Sequence, residues 1–242
     1  MASTSETSHA KNVTNFETQI AFCTAYGSAY NPSNEILTLA SLNQKHLKSD
    51  QAVKQVKTTE TPFKEIEGQR QTLFKLLKPL STKVFNALIS SGAPSTVIAD
   101  AETINRKIQG KSANTAQKTA KEGETPTDSI STSQQSYDMQ LDNFEKLIEL
   151  VQLETKYNPN EEPLKTAILI TYKDQLKAIN TSYKTIYTPY SNAMIARDKE
   201  LYDPETGLVA IALLVKNYVK SIFGASSPEY KQISGIQFKN RK

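Results

Sequence analysis

Residues 131–145, STSQQSYDMQLDNFE, restate residues 3–17, STSETSHAKNVTNFE, at an offset of 128. Ser3-Thr4-Ser5 returns as Ser131-Thr132-Ser133, and Asn15-Phe16-Glu17 as Asn143-Phe144-Glu145. The echo continues with Ile20 against Ile148, then Tyr30-Asn31-Pro32 against Tyr157-Asn158-Pro159 at an offset of 127. Leu37, Ala40 and Leu42 meet Leu164, Ala167 and Leu169, Thr61-Pro62 meets Thr188-Pro189, and Arg70 meets Arg197. Leu73-Phe74 and Ile108-Gln109 meet Leu201-Tyr202 and Ile236-Gln237. A single match carries no weight. Shared order with near-constant spacing is the signature of one unit written twice.

The composition suits helices. Hydrophobic residues make up 38% of the 242-residue chain, Trp is absent, and there are only 8 Gly. A helix needs one apolar stripe, whereas strands buried on both faces need continuous Val and Ile. The expected fold is all-α: a tandem duplication of a three- to four-helix unit, forming an antiparallel helical bundle with approximate internal two-fold symmetry. Residues 1–110 are the first copy, 111–130 a polar linker poor in large apolar side chains, and 131–242 the second copy.

Within the first copy, Val13, Phe16, Ile20 and Cys23 recur at helical spacing and predict a helix from about Lys11 to Ala29, after a loose Ser/Thr/Glu-rich start at residues 1–9. Cys23 reads as a small core residue, since its counterpart is Val151. Asn31-Pro32 and Asn158-Pro159 predict helix starts with Asn31 and Asn158 as caps, Glu161 completing a capping box in the second copy. The next helix has Ile36, Leu37, Ala40, Leu47, Val53 and Val56 on its apolar side. Thr61-Pro62 and Thr188-Pro189 either open new helices, capped by Thr61 and Thr188, or bend one long helix. From Phe63 a seam runs through Ile66, Arg70, Leu73, Leu77, Leu80 and Val84 without losing phase at Pro79. Gly92-Ala93-Pro94 ends it, and a short helix from Ser95 to Gln109 closes the unit. In the second copy, helices are expected over about Ser133–Lys156 and Asn160–Tyr187, then from Thr188. Asp203-Pro204-Glu205-Thr206-Gly207 is a turn, Leu208–Phe223 a strongly apolar helix, and Ser227-Pro228 the start of a last one.

The charge pattern excludes some functions. A net charge of +4, with Lys interleaved among Glu and Asp, gives no nucleic-acid footprint, and the basic tail Lys239–Lys242 is too short for a binding arm. One cysteine excludes an internal disulfide. A polar start without an apolar core, and no apolar run long enough to span a bilayer, set a cytoplasmic expectation that leaves signal-independent export open.

No catalytic, cofactor-binding or metal-ligating residue is read. The two histidines, His9 and His46, have Tyr137 and Lys173 as counterparts, so neither belongs to the shared unit. Glu6-Thr7-Ser8-His9 matches a di-metal string only once, and its copy, Gln134 to Tyr137, lacks the ligands. Neither a phosphate-cradling glycine loop nor a Cys-x-x-Cys is present. The expectation is a non-enzyme without cofactor or metal. Arg70 and Arg197 interrupt apolar seams at one repeat position. Two readings stand: the ion pairs Glu17–Arg70 and Glu145–Arg197, or guanidinium groups reaching solvent. The tyrosines gathered in the second copy read as half-buried rim residues.

The strings Asn15-Phe16-Glu17, Ala25-Tyr26-Gly27 and Tyr30-Asn31-Pro32, with Lys107–Lys111, Ser221–Gly224 and Lys231–Gly235, resemble a hypothetical-protein family of Bacteroidota with tandem-duplicated helical units. The resemblance spans nearly the whole chain. It implies a bacterial source, no established activity and no functional residue. The functional expectation is a helical interaction or assembly protein with a protein partner or self-association and no nucleic acid. The alternatives are a membrane-active bundle using residues 207–223, which is not favoured, and a small-ligand carrier with its cavity between the copies.

Overall fold

The computed structural model describes residues 4–111 and 135–240, with side chains from Ser8 onward; the linker, Lys111 apart, lies outside the described residues. All regular structure among them is helical: α1 (Thr4–Ala25), α2 (Leu39–Ser90), α3 (Ser95–Gln109), α4 (Tyr137–Leu153), α5 (Thr166–Tyr202), α6 (Leu208–Phe223) and α7 (Pro228–Ser234). Short 3₁₀ turns lie at Gly27–Ala29, Glu35–Leu37 and Glu162–Leu164.

The chain forms two compact units, and each draws on both halves of the sequence. One comprises Met1–Phe63 and Tyr187–Lys242, the other Lys64–Ile186. In the first unit Val13, Phe16, Ile20 and Cys23 of α1 share a core with Leu42 and Val53 of α2, Leu201 of α5, and Leu208, Ile211, Ala212, Val215 and Val219 of α6. In the second, Phe74, Leu77, Val84 and Leu88 of α2 and Ala101 and Ile108 of α3 share a core with Phe144, Leu147, Ile148 and Val151 of α4 and Leu169 and Leu176 of α5. Cys23 is a core residue, and burial pushes its thiol up to about 12, far from a thiolate at neutral pH.

Matching sequence positions take matching conformations. The 3₁₀ turns Glu35–Leu37 and Glu162–Leu164, and the starts of α2 and α5, stand 127 residues apart, and α1 and α4 end 128 apart. Ahead of each long helix a buried phenol ties down the loop: Tyr30 donates to the Leu37 carbonyl at 2.8 Å, and Tyr157 to the Leu164 carbonyl at 2.9 Å. Burial raises both phenols, Tyr157 to about 12, so both remain donors at neutral pH. At the other end, α2 runs on to Ser90, whereas α5 stops at Tyr202. Pro204 follows, and Asp203 Oδ1 accepts from the amides of Glu205 and Thr206 and the Thr206 hydroxyl, at 3.0, 2.8 and 2.9 Å. These bonds hold the Asp203 carboxyl below its ordinary value. Gly207 is required here, because a Cβ would sit 2.5 Å from the Asp203 backbone. Helix α6 then buries Leu208, Ala212, Val215 and Val219, in the stepping that the end of α2 uses for Leu77, Ser81, Val84 and Leu88.

Several expectations change. Thr61 and Thr188 are not caps: α2 and α5 continue through Pro62 and Pro189. A proline forfeits one intrahelical bond and can be carried inside a long helix whose flanking turns are packed. Thr61 Oγ1 instead bonds back to the Lys57 carbonyl at 3.4 Å. Asn31 and Asn158 are not caps either, because the tyrosine-tied loops delay each helix to Leu39 and Thr166. Asn31 donates its amide to the Tyr218 hydroxyl at 3.2 Å. The capping residue of the first loop is Asn34, which accepts from the Ile36 amide at 3.2 Å. Glu161 precedes the second 3₁₀ turn without a side-chain cap bond. Helix α1 begins at Thr4 and buries His9, which the loose start was expected to hold. Leu47, assigned to the apolar side of α2, is 65% exposed.

Candidate interaction grooves

The residues singled out for chemistry are occupied structurally. Arg70 is half-buried in the second unit, with its guanidinium 4.4 Å from the Tyr137 ring centre and 4.2 Å from that of Tyr183. Its Nε donates to Asn180 Oδ1 at 2.7 Å, and Asn180 donates on to Asp138 at 3.1 Å. The Glu17–Arg70 pair is therefore replaced by an aromatic and amide cradle, while Glu17 lies 3.9 Å from His46 Nε2. Glu145 lies 3.7 Å from Lys173 Nζ. Arg197 takes Asp198 Oδ1, at 2.9 Å from Nε and 2.7 Å from NH2.

The sequence had a signal for this contrast. Asn180 and Tyr183, which hold Arg70, stand 127 residues beyond Val53 and Val56. Val53 and Val56 are buried in the first unit and carry no acceptor side chain, and Arg197 bonds the acid beside it. The aromatic positions about one turn after the two arginines also agree: His9 meets Tyr202 with ring centres 5.5 Å apart and a 2.6 Å Nδ1···OH hydrogen bond, where Tyr137 meets Phe74 at 4.4 Å.

A furrow in each unit lies open to another molecule. In the first unit it runs along α2 past Lys48, Gln51, Ala52 and Gln55, against Ala193, Ala196 and Glu200 of α5, with a volume of about 430 Å³. It is prolonged by a hollow of about 240 Å³ lined by Ile36, Ser41, Gln44, Lys45 and Ile211. Glu200 is fixed at the junction by Lys45 at 2.8 Å and Ser49 at 3.4 Å. Alanines form much of the wall, and Leu47, 65% exposed, stands one helical turn from Gln44 and Gln51 on α2. In the second unit a furrow of about 600 Å³ is lined by Lys64, Glu65, Gly68, Gln69, Thr72 and Leu73 of α2 and Ile179 of α5. One turn beyond Thr72 stands Leu76, 57% exposed. Sequence reading missed both furrows, because helical periodicity marks the faces that are buried and says little about the side that stays bare.

Gly68 stands out chemically. Inside a helix, glycine costs about 1 kcal/mol relative to alanine. Nothing lies within 4 Å of the position its Cβ would occupy. The folded chain therefore supplies no steric reason for this residue.

Gln19 poses a separate question. It is fully buried, donates Nε2 to the Ala212 carbonyl at 2.9 Å, and leaves Oε1 without a partner among the described residues. Its counterpart is Leu147, also fully buried. Gln19→Leu is expected to raise stability by about 1 kcal/mol, because it removes a buried acceptor that folding strips of water. Urea denaturation measures this; a loss of stability would mean that the bond to Ala212 outweighs the orphaned oxygen.

The apolar helix α6 gives its hydrophobic face to the first core and leaves Leu213 and Leu214 exposed. Among the described residues no helix is long and apolar enough to cross a membrane. No protein-family profile, curated protein or solved structure matches the chain.

Proposed function

We propose that the chain is a non-enzymatic helical interaction protein whose furrows receive a helical segment of a protein partner, a second copy of the chain included. Gly68 carries this reading. A residue that weakens its own helix while touching nothing in the fold is suited to close approach by a foreign backbone, as small residues are at helix–helix contacts. The exposed Leu47 and Leu76, one helical turn from furrow-lining residues, supply the apolar anchors such a segment needs. A bilayer-binding role would require α6 to give up its buried face, so the interaction reading is the better supported. We also read the chain as a tandem duplication, on the strength of the matched turns, helix boundaries and tyrosine hydrogen bonds.

The test separates folding from binding. Gly68→Ala is expected to stabilise the isolated chain by about 1 kcal/mol. The same substitution should weaken association, read by light scattering for self-assembly and by retention of a partner on immobilised protein. A wild-type chain that stays monomeric and captures no partner, or a Gly68→Ala chain that associates as well as wild type, overturns the reading.

A further inference from the structure

The first helix of each sequence half packs on the other half. Helix α1 lies against α6 and α7, and α4 lies against α3. Phe16, Ile20 and Cys23 therefore find Ile211, Ala212 and Val215 from across the linker, and Phe144, Leu147 and Val151 find Ala101 and Ile108. The exchange is reciprocal, since each compact unit consists of an early segment of one half and a late segment of the other. Separated from its complement, α1 would expose its apolar stripe, and so would α4. Association need not depend on the peptide link between the halves, because both cores are completed by side-chain packing.

We infer that the amino-terminal and carboxy-terminal halves are each other's binding partner, so that the chain is a covalently joined heterodimer of two helical arms that assemble without the joint. The partner each half fits is its own repeat-related counterpart, and the surfaces that recognise it are the α1 face for α6 and α7 and the α3 face for α4. This inference is independent of the furrows and of whatever occupies them.

The experiment uses the full chain with a protease site placed between Lys111 and Gln135, folded first and cut afterwards. Size-exclusion chromatography with light scattering is expected to give one species at the mass of the uncut protein measured alongside, resolving into two fragments only in denaturant. The melting temperature of the cut protein should rise with protein concentration more steeply than that of the uncut protein, because its unfolding releases two chains. After denaturation and dilution the mixed fragments should recover the native helical signal. Fragments that separate on the native column overturn the inference, as does loss of helical signal on cutting. A cut-protein melt with no more concentration dependence than the uncut protein's also overturns it, because it would mean that each half folds alone.

Discussion

Phe16→Ala and Phe144→Ala each lower the unfolding free energy by about 3–5 kcal/mol, the range for deleting a fully buried aromatic side chain. Both rings are fully buried, one in each core, at positions 128 residues apart. Transfer of the lost apolar surface accounts for part of the cost. The cavity left in a helix-packed core, whose walls are fixed by their own backbones, accounts for the rest. Set against a typical total of about 5–15 kcal/mol, either loss is large enough to populate unfolded chain near physiological temperature. The two substitutions act on different cores, so their effects should add in the double variant. Leu153→Ser is the control: this residue is 84% exposed, and its change should stay within about 0.5 kcal/mol. Calorimetry is preferred to a single-probe titration because two cores need not melt as one transition. A cost below about 1 kcal/mol for either Phe would mean that the core around it is not packed as described.

Much of this architecture was readable in advance because helices announce themselves locally. The helices over Ser95–Gln109 and Leu208–Phe223 are read correctly, their starts marked by Gly92-Ala93-Pro94 and the Asp203–Gly207 turn. The stripe of α1 was read correctly, although its start was set too late. The loop before each long helix was misread for a tertiary reason. Asn-Pro is a sound local start signal, but Tyr30 and Tyr157 reach seven residues ahead and hold the chain in a turn past it. At the prolines 62 and 189 the reading left two outcomes open, and the single long helix is the one found, since packing on both sides carries the helix across them. The ion-pair expectation failed because sequence offers charges and not distances. Which residue faces Arg70 depends on how α4 and α5 approach α2, and that approach brings aromatic rings and an amide instead of Glu17.

Arg197 gives the sharper electrostatic test. Its side chain is 2% exposed, whereas the Asp198 carboxylate beside it is 37% exposed. Asp198→Ala should cost about 2 kcal/mol, less than the 3–5 kcal/mol for breaking a fully buried pair, because the acid already keeps part of its hydration. The loss arises from the guanidinium that stays behind, desolvated and deprived of two charge-assisted bonds. Arg197→Met in the same chain should then recover most of the loss. A thioether of similar length fills the volume without a charge to solvate, and the exposed end of position 198 tolerates alanine. The double-mutant cycle is therefore expected to show strong coupling, with the double variant more stable than Asp198→Ala alone. Additive effects in chemical denaturation would show that Arg197 is stabilised by its other surroundings and that Asp198 is a bystander. Arg70→Met, 127 positions earlier, should find no such rescue. Its cradle is distributed over Tyr137, Tyr183 and Asn180, and the Met variant leaves the Asn180 acceptor with one hydrogen bond fewer.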